Sequence, residues 1–128
     1  MAVSMKTDRT TQAAINEWWR LYGDSMFKPD WNKIKLSVAN TYEHNLRVCE
    51  VCITLLEMRI PFATEARLKC GARPDIIAPT HVKPIIEVLW SETTEDFLTK
   101  KAPKYPEALQ GGWILHDAEL DYDALSIQ

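Results

Sequence analysis

The sequence has no long apolar run, no excess of positive charge and no even set of cysteines. No stretch approaches the roughly 20 apolar residues that cross a bilayer. The polar residues 1–12 lack the apolar core of a signal peptide. Three cysteines without a secretion signal fit a reducing compartment better than a disulfide framework. We therefore expect a soluble, cytoplasmic protein that does not contact membranes.

The charge balance restricts the partners that the sequence favours. The chain has 15 Lys and Arg residues and 18 Asp and Glu residues, which gives a formal net charge of −3. This balance disfavours sequence-independent nucleic-acid binding, in which Lys and Arg displace counterions from phosphates. The local field at a contact surface can still be positive. At 128 residues, with 46% hydrophobic and 26% charged residues, the chain has the length and composition of one globular domain.

Two helices are predicted in the first half of the chain. The first covers residues 8–22, and the second covers residues 41–58 with Thr41 as its N-cap. Residues 1–40 are predicted to form a helical extension packed on a core domain of residues 41–128. The predicted core-facing side of the second helix consists of Leu46, Cys49, Cys52, Ile53 and Leu56.

After Pro61 the hydrophobic period changes from that of a helix to that of strands. The elements predicted there are strands over residues 62–68, 73–78 and 84–90, a polar segment with a helix start over 91–110, and a last strand over 113–116. This order predicts an α/β fold.

Two acidic residues stand inside otherwise apolar strands. Asp75 follows Pro74 in the second strand, and Glu87 lies in the third. Burying an ionised carboxylate costs several kcal/mol unless it is paired or bound to metal. In a hairpin the two side chains can meet at one edge of the sheet and hold a hard cation such as Mg²⁺. Alternatively, each faces solvent or pairs with Arg67 or Arg73.

These segments resemble the PD-(D/E)xK superfamily of restriction-endonuclease-like nucleases. Its members carry a Pro-Asp pair and, on the next strand, a Glu, as at Asp75 and Glu87. They place a lysine two residues after the Glu, where this chain has Leu89. The Uma-type branch is more similar, because Glu-Val-Leu and a Ser/Thr-rich turn precede a Lys-x-x-x-Tyr pattern, matched here by Lys101 and Tyr105. The resemblance covers about residues 41–117.

The resemblance implies a metal-dependent endonuclease that hydrolyses DNA phosphodiester bonds. Its fold would be the αβββαβ core of that superfamily, with a mixed central sheet flanked by helices. Its cofactor would be Mg²⁺ with Mn²⁺ as a substitute. Asp75, Glu87 and Lys101 would be catalytic, with the two acids as metal ligands. The lysine would orient or deprotonate the attacking water and offset charge on the phosphate. Related nucleases frequently pair, which implies a possible homodimer.

Other lysines remain candidates for the catalytic role. Pro103 kinks or ends a helix, so the stacking of Lys101 against Tyr105 is not assured. Lys83 in the hairpin turn and Lys69 at the end of the first strand are the alternatives, because a flexible stem can reach inward from either.

A further acid often joins the metal site of this superfamily. The candidates are Glu43 and Glu50 on the second helix and Glu65 on the first strand, although each also suits a solvated face. His44, beside Glu43, is a candidate for the outer shell of the metal. A basic rim suited to a phosphate backbone would consist of Arg67, Lys69, Arg73, Lys100 and Lys104, with Tyr105 beside them, although these residues also suit a solvated face.

Two remaining features favour packing over ligand binding. Cys49 and Cys52 have zinc-like spacing, but they lie in a helix without a second pair and suit a core. Trp18, Trp19 and Trp31 suit packing of the extension or a dimer contact more than stacking on bases.

Three functions are therefore open. The first is an active nuclease, and the second is an inactive descendant that binds nucleic acid or a protein partner. The third is a small interaction or assembly protein whose acids are merely exposed.

Overall fold

The fold combines helices with a four-stranded mixed sheet, as described by a computed structural model over residues 8–89 and 92–116. The helices are α1 (Arg9–Tyr22), α2 (Tyr42–Glu57) and the short α3 (Thr94–Asp96). The strands are β1 (Ala63–Thr64), β2 (Ile76–Ile77), β3 (Ile85–Val88) and β4 (Trp113–His116). After α3 come a π-helical turn at Phe97–Lys101 and 3-10 turns at Ala102–Lys104 and Glu107–Leu109. The predicted α/β class and the predicted order of elements are confirmed.

The sheet has the spatial order β1-β2-β3-β4. The β1–β2 and β2–β3 pairs are antiparallel, and β4 is parallel to β3. The helical residues 94–109 form the crossover that a parallel pair requires. In the β2–β3 hairpin, Ile76 pairs with Ile86 and Ile77 pairs with Ile85.

The first three strands are shorter than the sequence predicts, whereas β4 has the predicted bounds of residues 113–116. The backbone of Glu65 takes a left-handed φ of 57°, which ends β1 within the predicted strand of residues 62–68. Pro79 and Pro84 lie between β2 and β3, where they have no N–H to donate to the ladder. The prediction of long continuous strands was therefore wrong. Part of the third predicted strand, residue 90, lies outside the described residues.

Helix α2 begins at the predicted cap, and its buried face agrees with the predicted one only in part, since Cys52 is buried and Leu56 packs partly buried against the core. Thr41 Oγ1 accepts a hydrogen bond from the His44 backbone N–H at 3.2 Å. Leu46 and Ile53, predicted to face the core, are exposed. The residues of α2 that are buried are Val48, Val51, Cys52 and Leu55.

Each face of the sheet carries a hydrophobic core. Ile76, Ile86 and Val88 pack against α2. On the other face, Ile77, Ile85 and Leu89 pack in a cluster with aromatic residues of the crossover and of the N-terminal segment. Because side chains alternate along a strand, Glu87 belongs to this second face, together with Ile85 and Leu89.

The N-terminal segment is bonded to the rest of the fold through its backbone. The Asn32 N–H donates to the Phe62 carbonyl at 2.7 Å, and the Lys69 N–H donates to the Tyr22 carbonyl at 2.9 Å. Gly23, at the end of α1, is buried under the Trp19 ring. A Cβ built on Gly23 would lie 2.1 Å from Trp19 Cδ2, so the close packing of this ring requires glycine. Within residues 8–89 and 92–116, no helix combines the length and the apolar character that crossing a bilayer requires.

Candidate active site

The two predicted acids lie opposite each other at the open end of the β2–β3 hairpin. Continuing the register by one pair beyond Ile76 and Ile86 places Asp75 across from Glu87. The Asp75 backbone N–H donates to Glu87 Oε1 at 3.1 Å. The Val88 backbone N–H donates to Asp75 Oδ2 at 2.8 Å. Each carboxylate is therefore fixed by the backbone of the opposite strand.

Glu87 is buried beside a second negative charge. Its side chain is one of few polar groups in the core, with the residue 5% exposed. Burial, followed by the charge of Asp75, raises the pKa of Glu87 to about 8. The Lys101 ammonium opposes this rise. At neutral pH the Glu87 carboxyl therefore tends to hold a proton, and a cation between the two acids would stabilise its ionised form.

Helix α2 brings His44 to the same place. His44 Nε2 lies 3.1 Å from Asp75 Oδ1. This hydrogen bond raises the pKa of His44, burial lowers it, and the negative charges of Asp75 and Glu65 raise it further. Asp75 is thus held by the imidazole at one carboxylate oxygen and by the Val88 amide at the other.

Lys101 is the lysine that lines the same cavity as Asp75 and Glu87. It ends the π-helical turn, and its Nζ lies 3.2 Å from Glu92 Oε1. Pro103 follows in a 3-10 turn, so the regular helix does end here, as its sequence predicts. Lys83 belongs to the closed end of the hairpin, and Lys69 Nζ donates to the Arg20 carbonyl at 2.6 Å. Neither alternative lysine lines the cavity around Glu87.

The acids open into a cavity with two lobes, which meet at Arg73, Glu87 and Lys101. The carboxylate lobe has a volume of about 260 Å³, and its lining is completed by Asn40, His44, Asp75, Val88 and Glu92. The basic lobe has a volume of about 230 Å³, and its lining is completed by Gly71, Ala72, Lys104 and Tyr105. Arg73 and Lys101 line both lobes, so the basic lobe is distinguished by Lys104, and the carboxylate lobe is distinguished by the acids Asp75 and Glu92.

The fold does not bring the three candidate additional acids into this cavity. Glu43, Glu50 and Glu65 are exposed and line neither lobe. A helix turns by about 100° per residue, so Glu43 and Glu50 face away from the sheet while His44 faces it. Of these three acids, Glu65 is the one whose negative charge contributes to the raised pKa of His44.

The predicted basic rim divides into two groups. Arg73, Lys104 and Tyr105 line the basic lobe. Arg67, Lys69 and Lys100 line neither lobe. Lys100 Nζ instead lies 3.9 Å from Asp96 Oδ1, and Arg67 lies 4.0 Å from Asp24.

Glu92 is the site residue that sequence reasoning missed. It lines the carboxylate lobe, pairs with Lys101, and adds to the negative charge that raises the pKa of Glu87. A signal was present, because Glu92 stands immediately before the Thr93–Asp96 capping box that begins α3. A residue at that boundary lies where the chain leaves β3, close to the end of the strand that carries Glu87.

The donor set of the carboxylate lobe fits a hard divalent cation. In the part of the chain that the structure describes, no group of three or more His, Cys, Asp and Glu is arranged to hold a metal ion. Mg²⁺, however, binds through one or two carboxylates and keeps several waters. Asp75 and Glu87 supply two such carboxylates, one of them buried under like-charge repulsion.

Comparisons with protein-family models, with curated proteins and with solved structures found no match. What the protein does is therefore inferred from the side chains around the cavity, because one fold supports many unrelated functions.

Proposed function

We propose that the protein is a metal-dependent nuclease with a restriction-endonuclease-like core that hydrolyses DNA phosphodiester bonds. The observation that carries this proposal is the meeting of Asp75 and Glu87 with Lys101 in one cavity. The acids come from adjacent antiparallel strands and the lysine comes from the crossover. The order of helix, three strands, crossover and parallel strand supports the proposed core.

The residues of the site have complementary parts in such a reaction. Asp75 and Glu87 would hold Mg²⁺ or Mn²⁺, which supplies positive charge beside the phosphate. Lys101 adds an ammonium next to Glu87, where it offsets charge developing on the phosphate oxygens and orients water. Hydrolysis adds the water oxygen to phosphorus as the bond to the leaving nucleotide oxygen breaks, which yields one phosphate end and one hydroxyl end.

His44 and Glu92 act as positioning residues in this proposal. His44 fixes one oxygen of Asp75 at 3.1 Å, and Glu92 holds the Lys101 ammonium at 3.2 Å. Groups bonded to metal ligands and catalytic side chains set their orientation. Leu89, where the superfamily usually has its lysine, is instead part of the core.

A cleavage assay with Mg²⁺ or Mn²⁺ tests the proposal on plasmid, single-stranded and four-way-junction DNA. Asp75→Asn and Glu87→Gln should each abolish cleavage, and Lys101→Ala should reduce it by about 100-fold or more. Glu50→Gln is the matched control, because it removes an exposed acid outside the cavity. Undiminished cleavage by Asp75→Asn or Glu87→Gln would remove the basis of the proposal.

A non-catalytic relative of this fold is the second candidate. The burial of Leu89 and the placement of Glu43, Glu50 and Glu65 outside the cavity favour it. Such a protein would bind nucleic acid or a protein partner without cutting. Titration calorimetry separates the two candidates, because Mg²⁺ binding that depends on Asp75 without cleavage of any DNA would indicate the inactive form.

We also propose that the partner for assembly is a second copy of the chain. Helix α2 carries exposed apolar residues at helical spacing, on a side that does not face the sheet: Tyr42, Leu46 and Ile53. A symmetric pair of such helices would cover the same stripe on both copies.

A further inference from the structure

The two lobes of the cavity differ in charge, and this difference suggests how a nucleic-acid strand lies across the site. The carboxylate lobe holds the acids that suit a cation. The basic lobe is lined by Arg73, Lys101 and Lys104, against Glu87 as its acid. A pocket with an excess of positive side chains attracts an anion and not a metal ion.

We propose that the basic lobe is a subsite for a second phosphate group, next along the strand to the phosphate that is cut. This inference rests on the proposed nuclease function, because it takes the carboxylate lobe as the place of the cut phosphate. The shared wall of Arg73, Glu87 and Lys101 makes the two lobes adjacent parts of one cavity. Successive phosphates of one strand would then occupy successive lobes.

The size and lining of the basic lobe suit a phosphate with its sugar. Its volume of about 230 Å³ lies below the roughly 300–1,000 Å³ of sites for drug-sized ligands. Ala72 and the buried ring of Tyr105 provide apolar surface for a sugar. Lys104 and Arg73, which are exposed at its rim, provide the charge-assisted donors that phosphate oxygens accept from.

Tyr105 contributes a neutral donor to the same wall. Burial, followed by the charge of Glu87, raises the pKa of Tyr105 well above its ordinary value. The hydroxyl therefore keeps its proton and remains able to donate a hydrogen bond. The ring is held by Phe97 and Trp113, whose centroids lie 6.4 Å and 6.0 Å away.

Lys104 and Lys100 make a matched pair for a test. Both are exposed lysines of the same crossover, but Lys104 lines the basic lobe and Lys100 lines neither lobe. Fluorescence anisotropy with a labelled short oligothymidylate in EDTA measures binding without cleavage. Lys104→Gln should weaken binding by about tenfold and lower the slope of log K against log salt by about 0.7, the value for one phosphate of a single strand. Lys100→Gln should change neither quantity to that extent.

Two further arms define the result. Oligonucleotides with and without a terminal phosphate show whether the basic lobe binds a terminal or an internal phosphate. Weaker binding by Lys104→Gln than by wild type, on either oligonucleotide, supports the subsite. Equal effects of Lys104→Gln and Lys100→Gln, or an unchanged salt slope, would overturn it. Because the binding assay contains no divalent cation, it reports binding alone. Lys104-dependent binding in EDTA, together with no cleavage in Mg²⁺ or Mn²⁺, would leave the subsite standing while the nuclease proposal fails. If cleavage requires Asp75 and Glu87 but binding is unchanged in Lys104→Gln, the nuclease proposal stands and the subsite is overturned.

Discussion

At the scale of single residues, the position of Glu87 makes the stability of the fold depend on pH. Its pKa is raised from 4.5 to about 8 by burial and by Asp75. Between these values the unfolded chain has lost the proton and the folded chain still holds it. The unfolded state therefore binds fewer protons, and stability falls as pH rises through this window.

The prediction is that, in EDTA, the wild-type protein loses stability as pH rises between about pH 5 and pH 8, because the folded chain keeps a proton on Glu87 that the unfolded chain has released. Glu87→Gln should flatten that part of the dependence, as measured by Tm across the same range. Added Mg²⁺ should raise the wild-type Tm more at the upper end, because the ligands must be ionised. Glu50→Gln, with its exposed side chain, serves as the control. A decline of equal size in Glu87→Gln would contradict the assignment.

Leu89 provides a second prediction at this scale. Leu89→Lys, which puts a lysine two residues after Glu87, would place an amine where the side chain is 2% exposed, in the core with Ile85 and Phe97. The free energy of unfolding should drop by about 3 kcal/mol or more, because an unpaired charge is costly to bury. Urea denaturation measures the change. Leu98→Lys, at a position that is 46% exposed, should have little effect, and similar losses in both variants would count against this account.

At the scale of elements, the sequence predicted some features well because they depend on local chemistry. Thr41 caps α2 through its own side chain, and Pro103 interrupts the crossover through its missing N–H. The predicted core-facing side of α2 was wrong at Leu46 and Ile53, because apolar residues also lie on the exposed side of this helix. The capping box after Glu92 marks where α3 begins, but the contacts of Glu92 with Lys101 and of His44 with Asp75 depend on how separate elements pack together.

Gln110 stabilises the irregular element that carries Lys101 and Tyr105. Its Nε2 donates to the Ala102 carbonyl at 2.8 Å and to the Tyr105 carbonyl at 2.9 Å. Gln110→Ala removes both hydrogen bonds and should lower stability by about 1–2 kcal/mol, which urea denaturation would detect. Glu107→Ala, an exposed change in the neighbouring turn, should cost less. Equal stability of Gln110→Ala and wild type would mean that the turn is held by its packing alone.

At the scale of the whole molecule, α2 links the site to the proposed assembly. Its core-facing side places His44 against Asp75, and its outer side exposes Leu46 and Ile53. A dimer formed through the outer side would leave the cavity of each copy open, because neither residue lines a lobe. Two copies related by a two-fold axis could then each act on one strand of a duplex.

The double variant Leu46→Glu/Ile53→Glu tests this assembly. We expect wild-type protein to give the mass of a pair in light scattering at sufficient concentration, with a Tm that rises with concentration. Placing like charges on both copies of the stripe should give the mass of one chain, since the residues meet their own copies across the axis. Glu107→Lys, an exposed change outside α2, should leave the pair intact. Because Leu46 and Ile53 are already half exposed, the folded monomer should survive the change, so dissociation would not reflect unfolding. A wild-type protein that stays monomeric at every concentration would remove the dimer, while the chemistry proposed for Asp75 and Glu87 would stand.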